Sequence, residues 1–334
     1  MRNLSLFCAS LLVALPFTGL ASTLSEIDMA RGQTDENRID ARICDTATVS
    51  PLAIGTIAAT YDRQAKIVRG SFIGGPTYSL DPKVDLGKLL ENSLRSEAKA
   101  MGFAAASPAP VEGAEIWRIS GTLTEFYLES HQLGIYTPII FYSFVQVELD
   151  VAHGNDAPRH LHLRIPEMTL RYSLGFSRKD KTEAAIARTI VSASQEILAR
   201  LNHDFIHAPA VAGMDERLAQ LVKSGAEAHE HDLRLISLSG LPAATPALLK
   251  LLSAEKDENN RIWIINGLAV LGSADAASPL ATAYARESDE NARYYSLKAM
   301  AYLGTDPAMK LLREAGPKDR DAHARKLANW LIAP

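Results

Sequence analysis

The chain has 334 residues, 47% hydrophobic and 22% charged, a composition that suits two folded units and excludes a disordered chain. Its formal charge of −4 comes without any block of Lys or Arg, which excludes a nucleic-acid footprint, because phosphate binding needs a concentrated basic face. No P-loop string, dinucleotide glycine fingerprint, HExxH or GxSxG occurs, so no familiar enzyme chemistry is announced.

The chain opens on MRNLSLFCASLLVALPFTGLAS: one positive residue, an apolar run from Leu4 to about Val13, then Pro16 and small residues at Gly19 and Ala21. This order predicts a cleavable signal peptide over residues 1–21 and a periplasmic protein of the bacterial envelope. The apolar run is shorter than the roughly 20 residues a membrane span needs, so no transmembrane helix is expected in the mature chain. Neither LSLFC nor DARIC supplies a lipidation box, so a lipid anchor is not supported. With Cys8 removed, Cys44 is the one remaining cysteine, and it is buried, paired with another chain, or incidental. Residues 22–44 are polar and lack an apolar period, which predicts a flexible leader.

Residues 45–207 alternate in the manner of strands, with two helical segments among them. Asp85 caps LGKLLENSLRSEAKAM, in which Leu86, Leu89, Leu90, Leu94 and Ala98 share one stripe and Gly102 ends the helix. Three strands follow, EIWRISGTLTEFYLES, TPIIFYSFVQVELDVAHG and RHLHLRIPEMTLRYSLG, joined by short polar turns that allow only antiparallel pairing. A second helix closes the unit through Ile186, Ile190, Val191, Ile197, Leu198 and Leu201. The fold class expected is an α+β sandwich, a mostly antiparallel sheet with two helices on one face. DLGKLLENSLRSEAKAMGF, ISGTLTEFYLES and ILARLNHDF together resemble the YajG-like bacterial envelope lipoproteins. That resemblance implies an envelope protein without a catalytic site, and the chain departs from it in lacking the lipidated cysteine.

The middle strand alternates cleanly from Val145 to Val151 but is apolar on both sides before that. Either its own fold covers both sides there, or Tyr136, Ile139, Ile140, Tyr142 and Phe144 form a surface for a partner. His160 and His162 point the same way on a strand, as two metal ligands would, but no third ligand is evident, and a solvated strand face is the plainer account. His229 and His231 cannot share one helix side, and the Ser96 to Lys99 spacing lies mid-helix without companion motifs. No metal or cofactor is expected.

After a small-residue linker, residues 208–214, everything to 334 reads as helix. DENNR, DENAR and DAHAR recur 32 residues apart, placing Asp257, Asp289 and Asp321 in register with Arg261, Arg293 and Arg325. Each Asp caps a helix with an apolar stripe, and Gly272 and Gly304 permit the left-handed turn that ends it. Thr245-Pro246, Ser278-Pro279 and Asp306-Pro307 are expected to open the second helix of each pair. A looser first copy puts Arg234 in the arginine place. The array resembles HEAT-like repeats, an all-α helical solenoid. By that resemblance the Asp and Arg residues form a ladder between repeats; alternatively each Asp only caps its own helix and the Arg pairs are exposed and weak.

The function expected is a non-enzymatic envelope scaffold binding one or more envelope proteins through the concave side of the solenoid, with peripheral membrane contact possible. Two other classes stand beside it: an auxiliary subunit of an envelope transport or assembly complex docking through the α+β unit, and an enzyme of unrecognised type.

Overall fold

The computed structural model describes residues 22–33, 38–47, 49–60, 67–70, 77–107, 115–131, 139–171, 178–225 and 230–333. The expected signal peptide lies outside them, as do Tyr136 and His229.

The first unit runs β1 (Ser22–Leu24), β2 (Leu52–Ala59), β3 (Val68–Gly70), β4 (Tyr78–Leu80), α1 (Leu86–Met101), β5 (Trp117–His131), β6 (Ile139–His153), β7 (Arg159–Arg171) and α2 (Arg178–Leu201). The three long strands β5, β6 and β7 form an antiparallel meander. On the other side of β5 the sheet is mixed, because β2 and β3 both pair with β5 in parallel, and β1 pairs in parallel with β4. The parallel β2–β5 pair follows from α1, a crossover long enough to return the chain in the same direction. Asp85 accepts from Lys88 N–H at 3.0 Å and Gly102 takes φ 107°, so both ends of α1 are closed as their residue types dictate. The two helices pack on each other and lie on one face of the sheet, α1 over β2 and α2 over β7.

Residues 22–44 are not a flexible leader where they are described. Leu24, Ile27 and Ile43 are buried, β1 joins the sheet, and a 3-10 turn at Met29–Gly32 packs on α2. A Cβ on Gly32 would stand 2.4 Å from the Ala187 carbonyl carbon, so the approach of this turn to the helix depends on glycine. A few anchors without period are enough to dock a segment on an existing core, and they leave no periodic trace. The predicted linker is tied down as well: Asp45 N–H donates to Pro209 O at 2.7 Å and Val211 N–H to Ile43 O at 3.1 Å.

Cys44 is fully buried in this crossing, and burial pushes its thiol up to about 12. In a Cys8→Ser background a thiol reagent such as Ellman's is expected to leave Cys44 unmodified in the native chain and to react at the rate of unfolding in urea. Fast native labelling would show that the crossing opens.

The remainder is helical: α3 (Met214–Ser224), α4 (Glu230–Ser239), α5 (Ala244–Ala254), α6 (Glu258–Leu271), α7 (Ala277–Arg286), α8 (Glu290–Leu303), α9 (Asp306–Glu314) and α10 (Ala322–Ile332). Asp257, Asp289 and Asp321 accept from Asn260, Ala292 and Ala324 N–H at 3.0, 2.7 and 2.7 Å. Gly272 and Gly304 sit at φ 67° and 59°. The second helices begin differently from expectation. Thr245 and Ser278 lie inside α5 and α7, whose N-caps are Ala243 and Ala276, and α9 is preceded by Thr305. The prolines therefore occupy the first turn, where a missing N–H costs nothing, without a capping side chain before them. The first helices α4, α6, α8 and α10 pack in succession to form one layer, and α5, α7 and α9 form a second layer outside it.

Candidate functional site

From Ala185 to Ala199 every residue of α2 is buried, its polar side included. One side meets α1 and the sheet; the other meets α4 and α6. The first-helix layer is thus folded back onto the α+β unit, and the densest chemistry in the chain lies along that seam.

At its centre is Lys298 of α8, fully buried, with its Nζ 2.7 Å from Glu196 of α2 and 3.2 Å from Glu167 of β7. The Tyr302 hydroxyl donates to Glu196 at 2.6 Å. The Tyr295 hydroxyl lies 3.2 Å from the Glu167 carboxylate and accepts from Met168 N–H at 3.4 Å. Burial works to raise both carboxyls, and the two move apart. Glu196 stays raised, while Lys298, with help from Arg234 and Arg188, holds Glu167 below its ordinary value. One cation shared by two buried acids favours the charged form of one at the other's expense.

A second polar chain crosses three helices. Both Nε and Nη2 of Arg234 donate to Gln195 Oε1 at 2.8 and 2.5 Å, and Gln195 Nε2 donates to Glu97 of α1 at 2.7 Å. Arg234 is therefore bound to α2 and is not a rung of the repeat. Burial raises the Glu97 carboxyl despite its two amide donors, Gln195 and Gln33.

On the far face of the sheet α10 does the holding. Trp330 packs edge-on against Phe144 at 5.1 Å and donates to Glu125 at 2.6 Å, Lys326 pairs with Glu129, and His323 stacks on Tyr142 at 4.2 Å. Arg164 of β7 closes the end of α10 by donating to Leu331 O and Ala333 O at 3.1 and 2.6 Å. The array straddles the edge of β7, with α2 on one side and the opposite sheet face on the other.

This corrects the proposed partner surface. Ile139, Tyr142 and Phe144 are buried and Ile140 is half-buried, covered by the chain itself. The strand is apolar on both sides there because α10 and Tyr294 of α8 occupy the second side. The first-helix layer of the array is engaged by α2 and the sheet. His160 and His162 pair across the sheet with Asp150 and Glu148, both at 2.5 Å, in exposed positions. Among the described residues no group of three or more metal-ligating side chains forms.

The repeat arginines do form a ladder, though not with the capping aspartates. Arg261 grips Glu287 through Nε and Nη2 at 3.0 and 2.9 Å, and Arg293 grips Asp319 at 3.0 and 2.6 Å. Glu255, Glu287 and Asp319 recur at the period of the repeat, each two residues before a capping Asp and each accepting from that Asp's N–H at 2.9 Å. The signal is present in the sequence, two positions before DENNR, DENAR and DAHAR. Arg325, at the end of the series, donates to the carbonyls of Asp319 and Arg320. Burial pushes the Glu287 and Asp319 carboxyls upward, but their arginines and hydrogen bonds outweigh it and hold both below the ordinary value. A depressed carboxyl contributes stability that is present above its unfolded value and is lost as pH falls through the folded one. Urea midpoints measured from pH 6 down to pH 3 are therefore expected to fall, and the Glu287→Gln, Asp319→Asn double variant to show a flatter slope. An unchanged slope would show that the rungs carry no stability.

Two of the concavities among the described residues border the array. One, of about 210 Å³, is bounded by the five consecutive residues 161–165 of β7 and by Glu196, Arg200, Tyr302, Met309 and Leu331. The other is a groove of about 480 Å³ between α5 and α7, with Leu249, Leu252, Pro279 and Ala283 along its sides.

Residues 234–333 match the HEAT repeat family model. These residues span helices α4 to α10. Comparison with curated proteins returns no match. Solved structures give weak likenesses. A Xanthomonas campestris protein of the DUF330 family model shares 11% identity at a TM-score of 0.31 over 53% of this chain and 92% of its own. A minor lipoprotein from Acinetobacter baumannii shares 14% at 0.26, over 49% and 97%. The rare lipoprotein B from Shewanella oneidensis shares 15% at 0.24, over 41% and 92%. No helix among the described residues is long and apolar enough to cross a membrane.

Proposed function

We propose that this chain is a non-enzymatic envelope adaptor, exported by its N-terminal apolar segment, in which the HEAT array is a rigid platform and its outer helix layer meets a protein partner. The observation that carries this reading is the commitment of the first-helix layer to α2 and the sheet. It leaves α5, α7 and α9 as the array's exposed side, with half-buried Leu249 and Leu252 along the α5–α7 groove. The buried acids and Lys298 satisfy one another inside the seam, which suits a structural role for them.

The test is photo-crosslinking in cells from a benzoyl-phenylalanine placed at Leu252 or Thr282, with a control at the exposed Ser96 on α1. The expected result is one protein adduct from both groove positions and none from Ser96, abolished by Ala283→Glu without loss of melting temperature. Adducts from Ser96 alone would move the partner surface to the α+β unit.

A further inference from the structure

The outer layer of the array is not evenly packed. α3 packs on α5 and α7 on α9, but α5 meets its neighbour chiefly through the 3-10 turn Ala274–Ala276 that stands before α7. Beyond that turn α5 and α7 part, and the groove of about 480 Å³ lies between them. Its walls are one stripe on each helix, Leu249 and Leu252 on α5 and Pro279, Ala283 and Arg286 on α7. Residues three and four apart share a helix face, so the groove follows both helices for two turns, about 10 Å.

The backbone of an occupant decides its form. α5 and α7 satisfy their own N–H and C=O groups, and no strand borders the groove. An extended segment laid there would bury donors and acceptors without partners, whereas a helix brings its own satisfied. Among the described residues no aromatic side chain lines the groove, so it lacks the rings that grip a proline-rich segment. An apolar cavity of about 150 Å³ takes one benzene-sized guest, so this groove has room for about three apolar side chains.

Charge fixes the direction of the occupant. Arg261 and Glu287, beside the groove, are committed to each other at 2.9 Å. Arg286, the last residue of α7, is exposed and has no ion pair among the described residues. It stands at the end of the groove where α5 and α7 both finish. A helix lying antiparallel to them brings its N-terminal turn to that end, and acidic residues are favoured in that turn by the helix dipole as well.

We infer that the α5–α7 groove binds an amphipathic helix of the partner protein, apolar at i, i+4 and i+7, with an acidic residue of its first turn against Arg286. This rests on the adaptor reading and states what the partner brings to it.

The probe is a fluorescein-labelled peptide, Ser-Glu-Glu-Leu-Ala-Lys-Lys-Leu-Ala-Gln-Leu-Lys, titrated against the full chain by anisotropy. It is compared with an isomer whose leucines stand at alternate positions, as on one side of a strand. The first peptide is expected to bind at least about tenfold tighter than the isomer. Its affinity for the Arg286→Glu chain is expected to fall about fivefold, and that chain is expected to prefer a peptide with lysines in place of the two glutamates. Ala283→Trp, which fills the groove, is expected to remove binding with melting temperature kept. Equal binding of the two isomers, no binding of the first, or an Arg286→Glu chain indifferent to the lysine peptide would overturn the assignment. Adducts at Leu252 in cells alongside any of these results would leave the adaptor reading standing, so the two fail separately. The comparison of isomers uses the wild-type chain and stands even if a variant fails to fold.

Discussion

Lys298→Ala is expected to destabilise the whole chain by about 3–5 kcal/mol, the cost typical of removing one partner from a fully buried ion pair. The loss is not that of one hydrogen bond. Glu167 and Glu196 face each other across the space Lys298 occupies, and without the ammonium both must be neutralised or hydrated inside the seam. Urea unfolding followed by circular dichroism measures the loss. Lys298→Met combined with Glu167→Gln and Glu196→Gln is expected to return most of it, because an uncharged cluster has no unpaired charge to bury. If Lys298→Ala alone costs less than about 1 kcal/mol, the value usual for exposed pairs, the seam is wetter than the geometry implies.

A chain ending at residue 213 is expected to lose cooperative unfolding altogether. Truncation uncovers Tyr142 and Phe144 on the sheet and strips α2 of the partners of Gln195 and Glu196. Apolar and polar surfaces would both be exposed at once, and a unit of this size has little stability to spare. The intact chain should melt in one step. Trp117 reports on the sheet, Trp263 on α6 and Trp330 on α10, so single-tryptophan variants read three regions independently. Coincident urea midpoints are expected from all three. A Trp117 midpoint separated from that of Trp263 would show two independent units.

Much of the architecture was legible because it is periodic. The 32-residue interval, the Asp caps, Gly272 and Gly304, and the stripe of α1 all follow from local backbone needs that one residue type meets best. Residues 22–44 were not legible for the opposite reason: Leu24, Ile27 and Ile43 are single anchors set in polar sequence, and their burial depends on a surface made elsewhere. The return of the array onto α2 depends on side chains of α2 whose pattern is polar. Arg188, Ser192, Ser194, Gln195 and Glu196 make a polar side of α2 that an isolated α+β unit would leave in water, and the array buries all five. The doubly apolar start of β6 left two readings open, cover by the chain itself or a partner surface at Tyr142 and Phe144, and the chain itself supplies the cover. Only the tertiary arrangement assigned that cover to Trp330 and His323, about 180 residues away in the chain.

The straddling of β7 also bears on how this molecule can evolve. Open solenoids gain and lose units readily, since a new hairpin simply lengthens the stack. Here Arg234 of α4 must reach Gln195, Lys298 of α8 must land between Glu167 and Glu196, and Trp330 of α10 must land on Phe144, so three of the four first helices are each held at a fixed place on the α+β unit. Inserting or deleting a 32-residue copy between α4 and α8 would carry one anchor past its receptor, which makes the number of hairpins between them a property of the α+β unit and not a free variable of the array.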